Sequence, residues 1–380
     1  MTLLVIIYLS FISLGLPDAV LGAAWPMMYP DLGASVEAAG LINMVTALGT
    51  ILSSLFSARI LRKLGTGKLL VMSVIATALA LTGYAFVRSA WMLMVLAVPL
   101  GLGAGAVDAA LNSYVSLHYE AKHMSWLHSF WGLGASAGPM LMALTRGSWR
   151  LGYLIIAALQ IGLSVILLRA LPKWQDKGIE KNAAAERSPR YKDLLRVPGV
   201  LPALSAFFFY CAAEALMGLW SSSYLVLARG APKADAAAFA GLFFAGITAG
   251  RMLSGFLAEK FSYQGMLRLG EGLILMGLLL LQLLPLFAAP FALFVVGLGC
   301  APIYPLLIHR TPFHFGEAFS PYIIGLQMAS AYTGTLLVPA LFGQIAGDAY
   351  IAFLPAAALI MVLLMTGMTE KLRDVRAHTL

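Results

Sequence analysis

Charge is scarce in this chain. Asp, Glu, Lys and Arg make up 11% of its 380 residues, against roughly 25% in an average soluble domain. Apolar residues make up 61% and the mean hydropathy is +0.87. A water-soluble fold of this length has no way to bury so much apolar surface, so a soluble enzyme is excluded. Disorder is excluded by the same surplus. Cysteine is scarce too. Cys211 and Cys300 both lie in apolar runs and offer neither a disulfide framework nor a zinc spacing. The sequence has no G-x-x-x-x-G-K-[ST] phosphate loop, so ATP does not drive it directly. No nucleophile arrangement or metal-ligand cluster is legible. His118, His123 and His128 are five residues apart and do not share a helix face. The expectation is a protein that is not an enzyme and needs no cofactor. The net charge of +8 does not point to nucleic acid, because the basic residues sit between apolar stretches, where they set membrane orientation.

What the chain does have is long apolar runs. A bilayer span needs about 20 mainly apolar residues. Twelve such segments are expected, near 2–29, 38–57, 69–87, 91–117, 124–145, 151–171, 199–226, 236–257, 265–287, 289–309, 319–346 and 349–368. The first run is not read as a cleaved signal peptide. It continues past 25 residues without a small-residue cleavage pattern, and it carries an acid. The one long polar connection runs from Pro172 to Pro198 and is too short for a catalytic domain. The expected organisation is therefore a six-helix bundle over 1–171, a linker loop over 172–198, a second six-helix bundle over 199–368 and a tail over 369–380. With the N-terminus inside, 18 of the 25 Lys and Arg residues fall on the linker side and five on the other. Arg169 and Arg251 are placed at the linker-side ends of their helices. This bias orients both termini to the cytoplasm of a cell membrane.

The chain also repeats itself. Gly49 to Phe56 aligns with Gly250 to Leu257, and Ala39-Gly40-Leu41 aligns at the same offset with Ala240-Gly241-Leu242. Gly-Leu-Gly recurs at 101–103 and 297–299, and Gly134 with Pro139 recurs as Gly334 with Pro339. Two tandem halves with the same orientation are related by an axis along the membrane normal, with a substrate site between them near the midplane. Gly255-Phe256-Leu257-Ala258-Glu259-Lys260-Phe261 resembles the short motif that follows the second helix of a half in major facilitator transporters. A degraded copy without the acid spans Ser54 to Gly65. Four stretches resemble the fucose permease-like branch of sugar:proton symporters. They are Gly103 to Asn112, His128 to Gly134 with Gly138-Pro139, Glu214 to Gly218, and Gly297 to Pro305. The resemblance implies an all-α polytopic fold of twelve transmembrane helices in two pseudo-symmetric bundles.

Three acids sit well inside apolar segments: Asp18 in the first, Asp108 in the fourth and Glu214 in the seventh. No Lys or Arg is expected at their depth. A carboxylate at a helix centre costs about 2.5–3.5 kcal/mol. The cost falls if the acid faces a wet cavity or takes up a proton, and a group that alternates between the two carries protons. Asp18 to Gly22 aligns with Glu214 to Gly218 in the repeat, so the two acids hold equivalent places. The competing reading is that the acids bond to backbone or Ser groups and fix packing. Glu271, three residues from Arg268, reads as an interfacial pair.

In the resembled symporters, an acid on the fourth helix serves proton coupling and one on the first serves sugar binding. Asp108 and Asp18 match those positions. Asn112 lies one turn from Asp108, and its amide can both donate and accept. His128 and Trp131 stand where that branch has amides. Trp25, Trp131, Trp220 and Tyr304 offer faces for stacking on a sugar ring, with interfacial anchoring as the alternative. Gln327 is a polar group in an apolar span. Proton coupling is thus expected of Asp108, Asp18 and Glu214. Substrate contact is expected of Asp18, Asn112, His128, Trp131, Glu214, Trp220, Tyr304 and Gln327.

The preferred expectation is alternating-access symport of a small polar solute, a sugar, with protons, and sodium stays open as the coupling ion. The alternative is a proton-coupled efflux antiporter for an apolar or cationic compound. The expected partners are the solute, the ion and membrane lipid, with a monomer as the default state.

Overall fold

The computed structural model describes residues 2–119, 121–145, 148–174, 191–257, 261–316, 320–373 and 375. Its described residues form helices joined by turns. The first long helix, α1, has two segments, Leu3–Asp18 and Val20–Asp31, broken at Ala19. There follow α2 (Ala38–Leu64), α3 (Thr66–Phe86), α4 (Ala90–His118), α5 (Ala121–Leu144) and α6 (Trp149–Ala170). Beyond the linker come α7 (Val200–Leu227), α8 (Lys233–Leu257), α9 (Tyr263–Leu283), α10 (Ala289–His309), α11 (Ser320–Ala346) and α12 (Leu354–Leu372). Nine of these are long and apolar enough to cross a membrane among the described residues. The other three, α2, α5 and α11, have 27, 24 and 27 residues and pack among the nine. Large apolar side chains face outward around the bundle. Leu79, Phe86, Leu144, Phe287 and Ile345 are all at least 66% exposed. Such a surface is stable against lipid and not against water. The molecule is a multi-pass membrane protein.

The break in α1 has a local cause. Pro17 has no N–H, so it leaves the Ser13 carbonyl, four residues back, without its helical donor. In lipid such a group must be satisfied inside the protein. Gln160 of α6 supplies the missing donor: its Nε2 donates to Ser13 O at 2.8 Å. The Ser13 hydroxyl donates back to Gln160 Oε1 at 2.5 Å. Both residues are buried, at 8% and 2% exposure. Asp18 follows directly at the end of the first segment.

The two halves repeat in space. In the first, α1 packs on α5, α2 on α4, and α3 on α4 and α6; in the second, α7 packs on α11, α8 on α10, and α9 on α10 and α12. The glycines explain the tight α2–α4 and α8–α10 contacts. A methyl group at Gly101 or Gly105 would collide with the carbonyls of Thr46 or Thr50, and one at Gly246 or Gly297 with those of Phe294 or Phe243. Backbones approach this closely only where side chains are absent.

Among the described residues, the halves touch on the side away from the linker. There Ser222 of α7 donates to Ala23 O of α1 at 3.1 Å. The backbone of Gly22 lies against Gly218 and Leu219, Gly40 of α2 against Ala340 of α11, and Gly241 of α8 against Pro139 of α5. Residues 175–190 of the linker, 376–380 of the tail, and Ala258, Glu259 and Lys260 of the short motif lie outside the described residues.

Candidate functional site

A cavity of about 420 Å³ lies between the halves. All three membrane-embedded acids of the sequence analysis line it: Asp18 from α1, Asp108 from α4 and Glu214 from α7. Asp18 and His128 of α5 are exposed within it, and Asp108 and Glu214 are half-buried. A polar void lowers the cost of these charges relative to lipid. Thr50, Trp131, Cys211, Tyr304, Tyr332 and Thr335 complete much of the wall.

The acids are held in different ways. Trp131 Nε1 donates to Asp18 Oδ2 at 2.7 Å, tying α5 to the α1 break. Asn112 Nδ2 donates to Asp108 Oδ1 at 2.8 Å and to Asp108 O at 3.0 Å. Asn112 therefore orients Asp108 along α4 rather than standing on the cavity wall. His128 packs its ring edge to face on Phe11, with centroids 5.8 Å apart. Tyr304 donates to the Met328 sulfur at 3.0 Å and sets its ring edge against Phe207.

One cation changes the electrostatics. Arg251 of α8 lines the cavity, and its guanidinium lies 5.6 Å from the Trp131 ring centroid, across the divide between the halves. This corrects the expectation that Arg251 ends its helix at the membrane face and that no cation reaches the depth of the acids. The long stem carries the charge inward to a polar void. Arg251 makes no ion pair among the described residues, so its charge acts on the cavity as a whole. The repeat held the clue: Arg251 aligns with Thr50, and both line the cavity.

Residues 7–339 match the family model of the Major Facilitator Superfamily. The chain belongs to that superfamily. It is similar to the Glucose/mannose transporter GlcP of Bacillus subtilis, at 20% identity over 98% of this chain and 94% of GlcP. It is similar to the human Sodium-dependent glucose transporter 1, at 24% identity over 89% of this chain and 72% of the relative. It also resembles Bypass of stop codon protein 6 of Saccharomyces cerevisiae, at 24% identity over 94% and 80% of the two chains. Among solved structures, the nucleoside transporter NupG superposes with a TM-score of 0.80 at 11% identity, covering 96% of this chain and 98% of NupG. The fold and family are those of membrane transporters of small molecules.

Besides Asn112, two residues expected to touch substrate lie elsewhere in this superfamily fold. Trp220 is fully buried between α7 and α11, donates from Nε1 to Pro339 O at 3.0 Å and packs under Gly343. Gln327 is 2% exposed and accepts from Thr311 Oγ1 at 3.0 Å inside the second half. Trp220 was singled out as a stacking face and Gln327 as a polar group in an apolar run, yet each closes its hydrogen bond inside its own bundle. Trp25 likewise donates to Val36 O at 2.8 Å and is fully buried. Glu271 forms its pair with Arg268 at 3.1 Å and also accepts from Thr369 at 3.0 Å.

Proposed function

We propose that this protein is a secondary active transporter that carries a small polar solute, a sugar, together with a proton by alternating access. The bundles 1–171 and 199–368 are the two moving bodies, and the linker and both termini face the cytoplasm of a cell membrane. The observation that carries the reading is the set of three carboxylates gathered on one cavity in an otherwise apolar bundle. While the cavity is open, water hydrates them. When it closes, each ionised acid faces a cost of about 2.5–3.5 kcal/mol, which a proton removes. Closure thus favours protonated acids and a solute whose hydroxyls replace the lost water.

Trp131 links the two events. Its N–H holds Asp18 in one half, and its face lies under Arg251 of the other. An ionised carboxylate accepts a stronger hydrogen bond than a neutral one. Proton uptake at Asp18 therefore loosens the indole on which Arg251 rests. Asp108, clamped by Asn112, is assigned to proton coupling, and Glu214 to the equivalent place in the second half. His128, Trp131 and Tyr304 supply polar and aromatic surface for the solute. A proton crossing about 150 mV yields roughly 3.5 kcal/mol, enough for a solute gradient of two to three decades.

The name of the human relative favours sodium as the second reading of the coupling ion. One experiment separates the two. Purified protein in liposomes is offered labelled D-glucose or D-mannose under an inward proton gradient, an inward sodium gradient, or neither. Proton-driven accumulation that is lost in Asp108→Asn, while solute exchange persists, is the expected result. Accumulation driven by sodium alone replaces the proton with sodium, and Asp108→Asn with unchanged proton-driven accumulation overturns the assignment of that residue.

A further inference from the structure

The second half has a pocket of its own, apart from the central cavity. It holds about 390 Å³ at the linker-side ends of α9, α10 and α12, and Ser262, Tyr263, Arg268, Arg310, Glu370 and Arg373 line much of it. Three guanidinium groups meet there. Two are answered from within. Arg268 Nη1 lies 3.1 Å from Glu271 Oε2, and its Nη2 pairs with Glu370. Arg373 Nη1 lies 4.0 Å from the other oxygen of Glu370.

Two carboxylates thus face three guanidinium groups, and Arg310 is left over. It makes no ion pair among the described residues. Its guanidinium lies 3.5 Å from the Phe313 ring centroid and 4.9 Å from that of Tyr263. Aromatic faces hold a cation in place and leave its charge uncancelled. The start of α9 adds to the positive potential. The first N–H groups of a helix lack intrahelical acceptors, and Ser262 Oγ accepts the one from Gly265 at 3.1 Å. The surface further along the spans is apolar. The packed pair α9 and α12 exposes Leu269, Met276 and Leu279 on the first and Leu363 and Leu364 on the second. Positive charge at the helix ends therefore sits above an oily flank.

We propose that this pocket binds a phosphate group, with Arg310 as its main charge partner and Arg373 and the first turn of α9 beside it. A phosphate there ties together the ends of α9, α10 and α12. Basic pockets between membrane helices take the headgroups of anionic lipids. The apolar flank favours a phospholipid of the linker-side leaflet as the source, and a soluble phosphate offers the same group without acyl chains. The site is independent of the transported solute and of its coupling ion.

The test uses the full-length protein, stripped of lipid in neutral detergent. It is titrated with phosphatidylglycerol, phosphatidylcholine or inorganic phosphate while its melting temperature is read. Phosphatidylglycerol should raise that temperature more than phosphatidylcholine does. In Arg310→Gln its half-saturating concentration should rise about ten- to hundredfold, the loss of one hydrogen bond to a charged group. Arg310→Lys keeps the charge without the planar fork and should fall between. Arg88, exposed between α3 and α4 on the opposite side, supplies the control: Arg88→Gln makes the same change in net charge and should leave the titration unaltered. If Arg310→Gln does not fold, Arg373→Gln, whose parent side chain is 59% exposed, carries the test with a loss of about two- to fivefold. A response to inorganic phosphate that matches the lipid's and is lost in Arg310→Gln upholds the site with a soluble occupant. Equal titrations of wild type and Arg310→Gln, equal losses in Arg310→Gln and Arg88→Gln, or no response to either phosphate source would overturn it.

Discussion

Replacing Gln160 by Leu tests how α1 tolerates its break. The substitution deletes two hydrogen bonds, from Gln160 Nε2 to Ser13 O and from the Ser13 hydroxyl to Gln160 Oε1. Side-chain bonds between membrane helices average about 0.6 kcal/mol and reach about 1.7 kcal/mol. Two of them give about 1–3 kcal/mol. The buried Ser13 carbonyl left without a donor pushes the cost toward the upper end, because a stranded polar group carries its own desolvation penalty. The argument makes a sharper claim about Pro17. If Gln160 stands in for the N–H that Pro17 lacks, Pro17→Ala restores a backbone donor to the same carbonyl. Gln160→Leu should then cost about 1 kcal/mol less in the Pro17→Ala background. The assay is a double-mutant cycle by SDS titration of purified protein, with unfolding followed by tryptophan fluorescence. Independent sites add within about 0.3–0.5 kcal/mol. Additivity at that level would refute the claim that the amide replaces the missing donor.

Four further outcomes are expected. Trp131→Phe keeps a ring beneath Arg251 but removes the N–H that holds Asp18. A bond to a charged group is worth about 1.5–3 kcal/mol, and water in the cavity brings the loss to the lower end, so kcat/KM for proton-driven uptake should fall about tenfold. Arg251→Gln removes the cation facing the three carboxylates and should lower uptake more than Arg251→Lys, as measured by initial rates in liposomes. Gly22→Leu drives a side chain into the Gly218 and Leu219 backbone; it should part α1 from α7 there and raise labelling of Cys211, a cavity-wall residue, by a maleimide applied from the side away from the linker. Gly105→Val sets branched carbons against the Thr50 carbonyl, and since overpacking costs about 1–3 kcal/mol or more, the yield of monodisperse protein by size-exclusion chromatography should drop sharply.

Composition and pattern alone determined that this chain lives in a membrane, roughly where its spans lie and that it is built from two similar halves. These follow from one-dimensional rules: a bilayer sets the length of an apolar run, and a duplicated bundle leaves its register in the glycines and acids. The same rules picked out Asp18, Asp108 and Glu214, because ionisable groups in oil stand out against their neighbours. Which face of each helix meets the void was a tertiary decision. In a multi-span bundle both the lipid face and the packed face are apolar, so periodicity does not mark the cavity side. Trp220 and Gln327 thus looked like binding groups and turned out to close hydrogen bonds inside their own half, while Arg251 looked peripheral and reaches the centre. Gln160 carried no sequence signal at all. Its role depends on what faces it from another helix: a carbonyl stripped of its donor by a proline 143 residues earlier in the chain.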